Sequence, residues 1–530
     1  MARGRIEPGP GRLGPSTAAR RLHVCLVRPP VVTAPRSLSY YGAVPDLGLA
    51  YVAAATRAAG HAVSVVDGPG AAIEHAWTHP TTLGPLRAHG LELDAIVDGV
   101  PPGTQVIGVA QMFLHEWPLA AELLRRLRRA HPSAVLVAGG ENATAMGSRM
   151  LAQCDALDAI VCGEGEDRFV ALLAAVGMGH SPGVVPGVLT RGAAPAASAA
   201  VSTRRLDLDA LPWPAWDLFP IEAYLSHRHG SGVDLGRSLP VLTSRGCPYR
   251  CSFCSSPQMW GTRYVRRDPE RVLDEIEFLQ RRHRVQNINI NDLTALLTKQ
   301  WLLEFCAAIE RRGLRFTWQL PSGTRSEAID REAAQRLVAA GCRNFCYAPE
   351  SGAPTELARM RKRVVPSRLL GSVRGAVEAG MVTHASIIIG MPGQTTGELL
   401  QTTRFVAELA WAGLHTLSVM VFAPYPGSEA YEAAVANGTV AHDERWIYGS
   451  LLRSVGGGRS HHGQWGPRRL LATQLGLLGG FFALSWLRRP ARVLQTAETL
   501  ARGRQRTVLE QLIAAKLAPL RALWSGRARA

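Results

Sequence analysis

Lysine is nearly missing from this chain: of 59 basic residues, only Lys299, Lys362 and Lys516 are not arginine. Basicity of this kind follows overall composition, and its placement excludes a basic stripe on the folded body. Residues 1–21 carry a net +4 and residues 488–530 a net +8, so the two ends supply 12 of the 17 net charges. A nucleic-acid enzyme concentrates such charge on its body, so no nucleic-acid partner is expected. The start, "MARGRIEPGPGRLGPSTAARR", lacks an apolar core segment and does not read as a secretory signal. Long apolar runs are scarce too. "LLATQLGLLGGFFALSWL" (470–487) is uncharged but holds three Gly and barely reaches spanning length, so it reads as a packed helix. The nine cysteines are odd in number and form no disulfide framework, which points to a reducing, cytoplasmic setting.

Charged residues make up 19% and apolar residues 47%, a globular balance, and 530 residues exceed one ordinary core. Short β-branched runs alternate with helical periodicity through "LHVCLV" (22–27), "AVSVVD" (62–67), "QVIGVAQ" (105–111), "AVLVAGG" (134–140) and "DAIVCGEGE" (158–166). Alternation of this type predicts a doubly wound parallel sheet over 21–183, with ligands at the strand carboxyl ends. Those ends are glycine-rich: Gly139, Gly140 and then Gly163, Glu164, Gly165, Glu166. Residues 1–20 read as a disordered basic tail, and 184–239, rich in Pro, Ala and Trp, as a linker. Six further βα units over 240–445 predict a partial (β/α)6 barrel with its chemistry on the carboxyl ends of its strands. Residues 446–530 read as a helical C-terminal region.

"TSRGCPYRCSFCSSP" (243–257) places Cys247, Cys251 and Cys254 in a C-x3-C-x2-C spacing. Clustered thiolates bind soft metals. A structural zinc site requires four closed ligands, and no second Cys/His pair lies at suitable spacing nearby. Three thiolates instead hold a four-iron four-sulfur cluster with one iron left open.

With Phe253 preceding the last cysteine, this motif resembles the radical S-adenosylmethionine (SAM) superfamily. "APESG" is similar to the family segment that meets the SAM ribose, which implies roles for Glu350 and Ser351. "IIIGMPGQT" resembles the strand supporting the adenine, here with Gly390 and Pro392. "SGTRSEAID" resembles the strand bearing an arginine near the SAM carboxylate, here Arg325. Relatives often carry an Asp-Asp pair after the second strand; this chain has Asn291 and Asp292, with Asp292 the residue implied to bind SAM. Residues outside 240–440 contribute nothing to this likeness.

The order of a doubly wound domain and then this barrel resembles the cobalamin-dependent radical SAM methyltransferases. The resemblance implies cobalamin contacts from Gly139, Gly140, Glu141, Gly163, Glu164, Gly165 and Glu166. No D-x-H-x-x-G motif occurs, so no His is marked as a lower cobalt ligand, and a domain that has kept the fold but lost the cofactor stays open. The implied cofactors are a 4Fe-4S cluster, SAM and cobalamin. The implied reaction methylates an unactivated carbon of a natural-product or lipid-like small molecule. SAM would serve both as methyl source, through methylcobalamin, and as source of the 5′-deoxyadenosyl radical. Cyclisation, rearrangement or dehydration with the same machinery is the alternative, and a non-enzymatic sensor a more remote one. An electron donor such as flavodoxin or ferredoxin is implied as a partner. A tRNA methylthiotransferase would need a second cysteine triad, and Cys25, Cys154 and Cys162 are scattered. The segment 507–524 has an apolar face and basic flanks, so peripheral membrane contact through this C-terminal helix is a further expectation.

Overall fold

The computed structural model describes residues 20–35, 43–192, 204–227, 231–295, 297–324, 329–452, 458–503 and 506–524. The first half contains strands β1 (His23–Arg28), β2 (Val31–Thr33), β3 (Ala62–Asp67), β4 (Ala76–His79), β5 (Leu86–His89), β6 (Val106–Ala110), β7 (Val135–Gly139), β8 (Ala159–Val161) and β9 (Val188–Thr190). Six of them form one sheet in the order β3-β1-β6-β7-β8-β9. The chain starts at β1, builds outward to β3, then reverses to β6, which opens a crevice between the carboxyl ends of β1 and β6. Both faces of the sheet are covered, so β1 reads "HVCLVR" with its four central residues buried. The helix Leu47–Ala58 begins where Asp46 accepts from the Leu49 amide at 2.9 Å.

Two features depart from the sequence reading. Strand β9 pairs antiparallel with β8, so the first sheet continues past residue 183. Strands β2, β5 and β4 form a small antiparallel sheet inserted after β1 and β3. Hairpin-like pairing of short polar strands leaves no periodicity long enough to detect.

The second half contains β10 (Ser238–Val241), β11 (Ser244–Arg245), β12 (Val265–Arg266), β13 (Asn287–Ile290), β14 (Thr317–Thr324), β15 (Cys342–Glu350), β16 (Val382–Ile389) and β17 (Thr416–Val421). The main sheet runs β10-β13-β14-β15-β16-β17 in strict chain order, every pair parallel. This is the partial barrel of six βα units. Strands β11 and β12 form a two-stranded antiparallel ribbon beside it.

The segment read as a linker over 184–239 is not loose, and β10 already begins within it. Trp216, Phe219 and Tyr224 are buried in a cluster that also contains Leu26 of β1 and Leu239 of β10. The Tyr224 hydroxyl donates to the buried Asp67 carboxylate at 2.7 Å, and Arg28 donates to Tyr224 at 2.9 Å. An irregular, proline-rich segment therefore works as a wedge joining the two sheets, its aromatics buried against residues of both. Past the barrel, Glu444 and Tyr448 return to the small sheet: the Thr82 amide donates to Glu444 at 2.8 Å, and Tyr448 pairs with His79 at 3.0 Å.

Candidate active site

The cysteine loop follows β11. Gly246 sits at φ 86°, where a Cβ would meet the Arg263 carbonyl at 2.3 Å, so only glycine makes this turn into Cys247. The loop is pinned by the Ser252 amide donating to the Met360 carbonyl at 3.0 Å and by the Ala430 amide donating to the Ser252 carbonyl at 2.9 Å. Cys247, Cys251 and Cys254 are half-buried and the other six cysteines are buried, and none of the nine forms a disulfide. Burial pushes the Cys254 thiol up, with Cys251 and Glu141 adding to the shift. Iron ligation requires the thiolate, so cluster assembly releases protons here. Among the described residues no three His, Cys, Asp or Glu side chains converge as they would on a single ion. A cubane takes one thiolate at each of three separate irons, so its ligands do not share a centre, and the three available thiols fit it.

The residues implied for SAM divide into two groups. Phe253 packs with Met360, Ile388, Met391 and Phe422 beside the loop. Glu350 ends β15 in the left-handed region at φ 64° and pairs with Lys362 at 3.0 Å. Gly390, at φ 77°, directly follows β16; its amide donates to Gln394 at 2.7 Å, and Pro392 beyond it is exposed. Asp292 and Ser351 are already engaged within the protein. Asp292 accepts from the Thr243 amide at 2.8 Å, the Thr243 hydroxyl at 2.5 Å and the Ser244 hydroxyl at 2.6 Å. Burial still pushes its carboxyl up to about 6. Ser351 donates to Glu356 at 2.6 Å and is fully buried. Both side chains stiffen the strand ends from which the loops leave. Arg325 lies outside the described residues.

A cavity of about 600 Å³ opens at the β1/β6 crevice. Gly139, Gly140, Gly163, Glu164, Gly165 and Glu166 line it, as do Arg28, Gln111, Met112, Phe113 and Glu116. Gly140 adopts φ 121°, and a Cβ would come within 2.6 Å of the Gln111 carbonyl. Glu141 is not among the lining residues; its carboxylate accepts from Ser255 at 2.5 Å and ties this edge to the cysteine loop. Gln111 Oε1 and Glu116 Oε1 are buried with no hydrogen-bond partner among the described residues. Burial pushes the Glu116 carboxyl up to about 8 against the opposing pull of Arg28. Met112 and Phe113 are 38% and 54% exposed, unusual for large apolar side chains inside a fold. An apolar cavity fringed by unpaired polar atoms and glycine backbone fits a large, amide-fringed macrocycle such as cobalamin. The stretch "QMFLHE" was missed in the sequence; the signal was its position directly after the strand at which sheet order reverses.

The barrel closes this cavity. Leu242, Arg245, Met259, Trp260 and Asn291 line its second side. Arg245, two residues before Cys247, pairs with Glu166 at 2.5 Å and Glu164 at 3.2 Å, and all three side chains are nearly buried. Its guanidinium also lies 5.2 Å from the Tyr51 ring and 5.5 Å from the Trp260 ring. Arg204 adds a 2.6 Å pair to Glu164. The predicted acidic pair Glu164 and Glu166 thus carries the ion pairs that hold the two sheets' strand ends together.

Comparison with known proteins agrees with this arrangement. Residues 36–173 match the B12 binding domain family and residues 241–406 the Radical SAM superfamily. An uncharacterized methyltransferase of Pyrococcus horikoshii is 27% identical over 417 residues, covering 78% of this chain and 84% of that protein. The cytidylyl-2-hydroxyethylphosphonate methyltransferase of Streptomyces wedmorensis is 26% identical, covering 75% and 79%. The anaerobic magnesium-protoporphyrin IX monomethyl ester cyclase of Cereibacter sphaeroides is 28% identical but covers only 55% and 47%. Among solved structures, the radical SAM methyltransferase TsrM of Kitasatospora setae, with cobalamin and a [4Fe-4S] cluster bound, shares the fold at TM-score 0.60 and 18% identity, covering 79% and 78%.

Proposed function

We propose, for a chain that belongs to the cobalamin-dependent radical SAM methyltransferases, that its reaction methylates an unactivated carbon of a natural-product or lipid-like small molecule. The chain is an enzyme with a 4Fe-4S cluster, SAM and cobalamin as cofactors. In our reading Cys247, Cys251 and Cys254 hold the cluster. Phe253, Glu350, Gly390 and Pro392 frame SAM, and Gly139, Gly140, Gly163 and Gly165 with Gln111 and Glu116 frame cobalamin. When bound, these groups supply the carbon radical and the methyl group, and the protein supplies orientation and exclusion of water.

The observation that carries the reading is the meeting of the cysteine loop and the glycine-lined cavity at one interdomain face. Arg245 and Glu141 fix that meeting, the first by ion pairs and the second through Ser255. Trp260 and Leu242 exclude water from the cavity wall. Asn291 has a buried Oδ1 without a partner among the described residues and lines the same cavity, which supports it as an acceptor for a substrate hydroxyl or amide. A reducing, cytoplasmic setting fits nine cysteines without a disulfide, and the electron donor would be a small redox protein such as flavodoxin or ferredoxin.

The partial likeness to a cyclase favours one second reading: radical cyclisation, rearrangement or dehydration without methyl transfer. Product analysis on the anaerobically reconstituted enzyme separates the two. Methylation yields S-adenosylhomocysteine together with 5′-deoxyadenosine. Turnover that yields 5′-deoxyadenosine and a modified, unmethylated product assigns the second reading.

A further inference from the structure

The helix Pro467–Arg488 lies along β17, the edge strand of the barrel sheet, with two faces of opposite character. Its inner face is fixed: Leu470, Leu477 and Phe481 are buried, and Gln474 Nε2 donates to the Val419 carbonyl at 2.6 Å. Its C-terminal end is fixed as well. Arg489 donates to the Trp411 carbonyl at 3.2 Å, and Arg492 donates to the Gly413 carbonyl at 2.6 Å and the Leu414 carbonyl at 2.8 Å. The outer face presents Leu475, Gly476, Gly480, Ala483, Trp486 and Leu487 to solvent. The next helix, Ala491–Ala501, adds Val493 and Leu494. Leu487 and Leu494 are 78% and 74% exposed, and Trp411, 57% exposed, lies under the Arg488 guanidinium at 5.1 Å.

The charge along this stretch of chain is of one sign, and on the packed helix Thr396–Ala412 the acid Glu408 is paired with Arg404 at 3.1 Å. Between Glu444 and Glu498 the sequence holds eight arginines and no acid. Arg468 and Arg469 stand exposed at one end of the helix and Arg488 at the other. The helix has the length and the mean hydropathy, 1.6 over its most apolar window, of a membrane span. Spanning would nevertheless strip its inner face from β17 and leave Gln474 and the β17 edge without partners in hydrocarbon. A second copy of the chain would set arginine against arginine across the glycines. An anionic lipid surface satisfies both features, taking the apolar side chains at headgroup depth and pairing with the arginines.

We propose that the outer face of Pro467–Arg488, continued by Val493 and Leu494, docks the enzyme in the plane of an anionic lipid bilayer. This moves the membrane contact expected at 507–524 onto an earlier helix, and it stands independently of the reaction proposed above. The test is co-sedimentation of the reconstituted full-length enzyme with vesicles of phosphatidylcholine alone and of phosphatidylcholine mixed with phosphatidylglycerol. Binding is expected to the mixed vesicles, weakened by raised salt. The double variant Leu487→Asp/Leu494→Asp should weaken it about tenfold or more, and Arg488→Gln about fivefold. The cofactor absorbance of each variant reports folding. Complete recovery in the supernatant at low salt would overturn the proposal. So would binding unchanged in either variant, or a dimer in analytical ultracentrifugation that the double variant dissociates.

Discussion

In the first sheet the strand order reverses between β1 and β6, whereas in the second it runs without reversal from β10 to β17. The reversal splits neighbouring connections to opposite faces and leaves a crevice, which here is the glycine-lined cavity. Sequential order leaves no such crevice; its carboxyl ends carry loops around one rim, and the cysteine loop is one of them. The first sheet therefore offers a ready-made volume, lined mostly by backbone and apolar side chains. The second offers positions, and its rim carries the three thiols of the cysteine loop. Cysteine usage separates the loop from both sheets: Cys25, Cys154 and Cys162 of the first half and Cys306, Cys342 and Cys346 of the second are all buried, whereas Cys247, Cys251 and Cys254 are partly exposed.

The sharpest way to separate the two sites is to remove a thiol. Cys247→Ala, Cys251→Ala or Cys254→Ala should each lose the iron–sulfur absorbance and reduce 5′-deoxyadenosine formation to background, with cobalamin content unchanged. Loss of both cofactors together would mean that the sites are not independent. Such joint loss is expected from Arg245→Met, which leaves Glu164 and Glu166 buried with a missing partner. The cost is about 3–5 kcal/mol, read as a lower denaturation midpoint with reduced content of both cofactors. Gly140→Ala tests the cavity alone. Strain at φ 121° and the clash with the Gln111 carbonyl, on the order of 1–3 kcal/mol, should weaken cobalamin binding about tenfold or more while iron content stays at the level of the parent.

The smallest effect concerns Glu116. Its carboxyl in the fold holds its proton up to about pH 8, whereas the unfolded group ionises near 4.5. Between these values the folded state binds the extra proton, so this group makes stability fall as pH rises through the window. Glu116→Gln should remove that slope, so that the cofactor-free variant gains stability relative to the parent as pH rises from 5 to 8. Equal melting-temperature profiles for variant and parent would contradict a buried, neutral Glu116.

Much of the site was legible because its chemistry depends on local spacing. C-x3-C-x2-C fixes three thiols on one short loop whatever surrounds it, and Gly139–Gly140 and Gly163–Gly165 mark strand ends where the backbone itself lines the cavity. Glu141, Glu164 and Glu166, expected at cobalamin, also hold protein partners. Their partners, Ser255, Arg204 and Arg245, lie between 40 and 114 residues away along the chain, and no local pattern carries information across that distance. Asp292, expected at SAM, likewise meets Thr243 across 49 residues, whereas Ser351 meets Glu356 only five residues on, within reach of local sequence.

The sequence by itself determined the two parallel α/β sheets, the three available thiols and the glycine edges, because periodicity, thiol spacing and backbone freedom are properties of a few neighbouring residues. Only the tertiary structure decided that the proline-rich segment around Trp216 and Tyr224 is a wedge, that Gln111 to Glu116 line the cavity, and that Arg245 joins the two halves. Each of those depends on burial and on the desolvation of charges brought together from distant parts of the chain, and neither exists until the two sheets are packed.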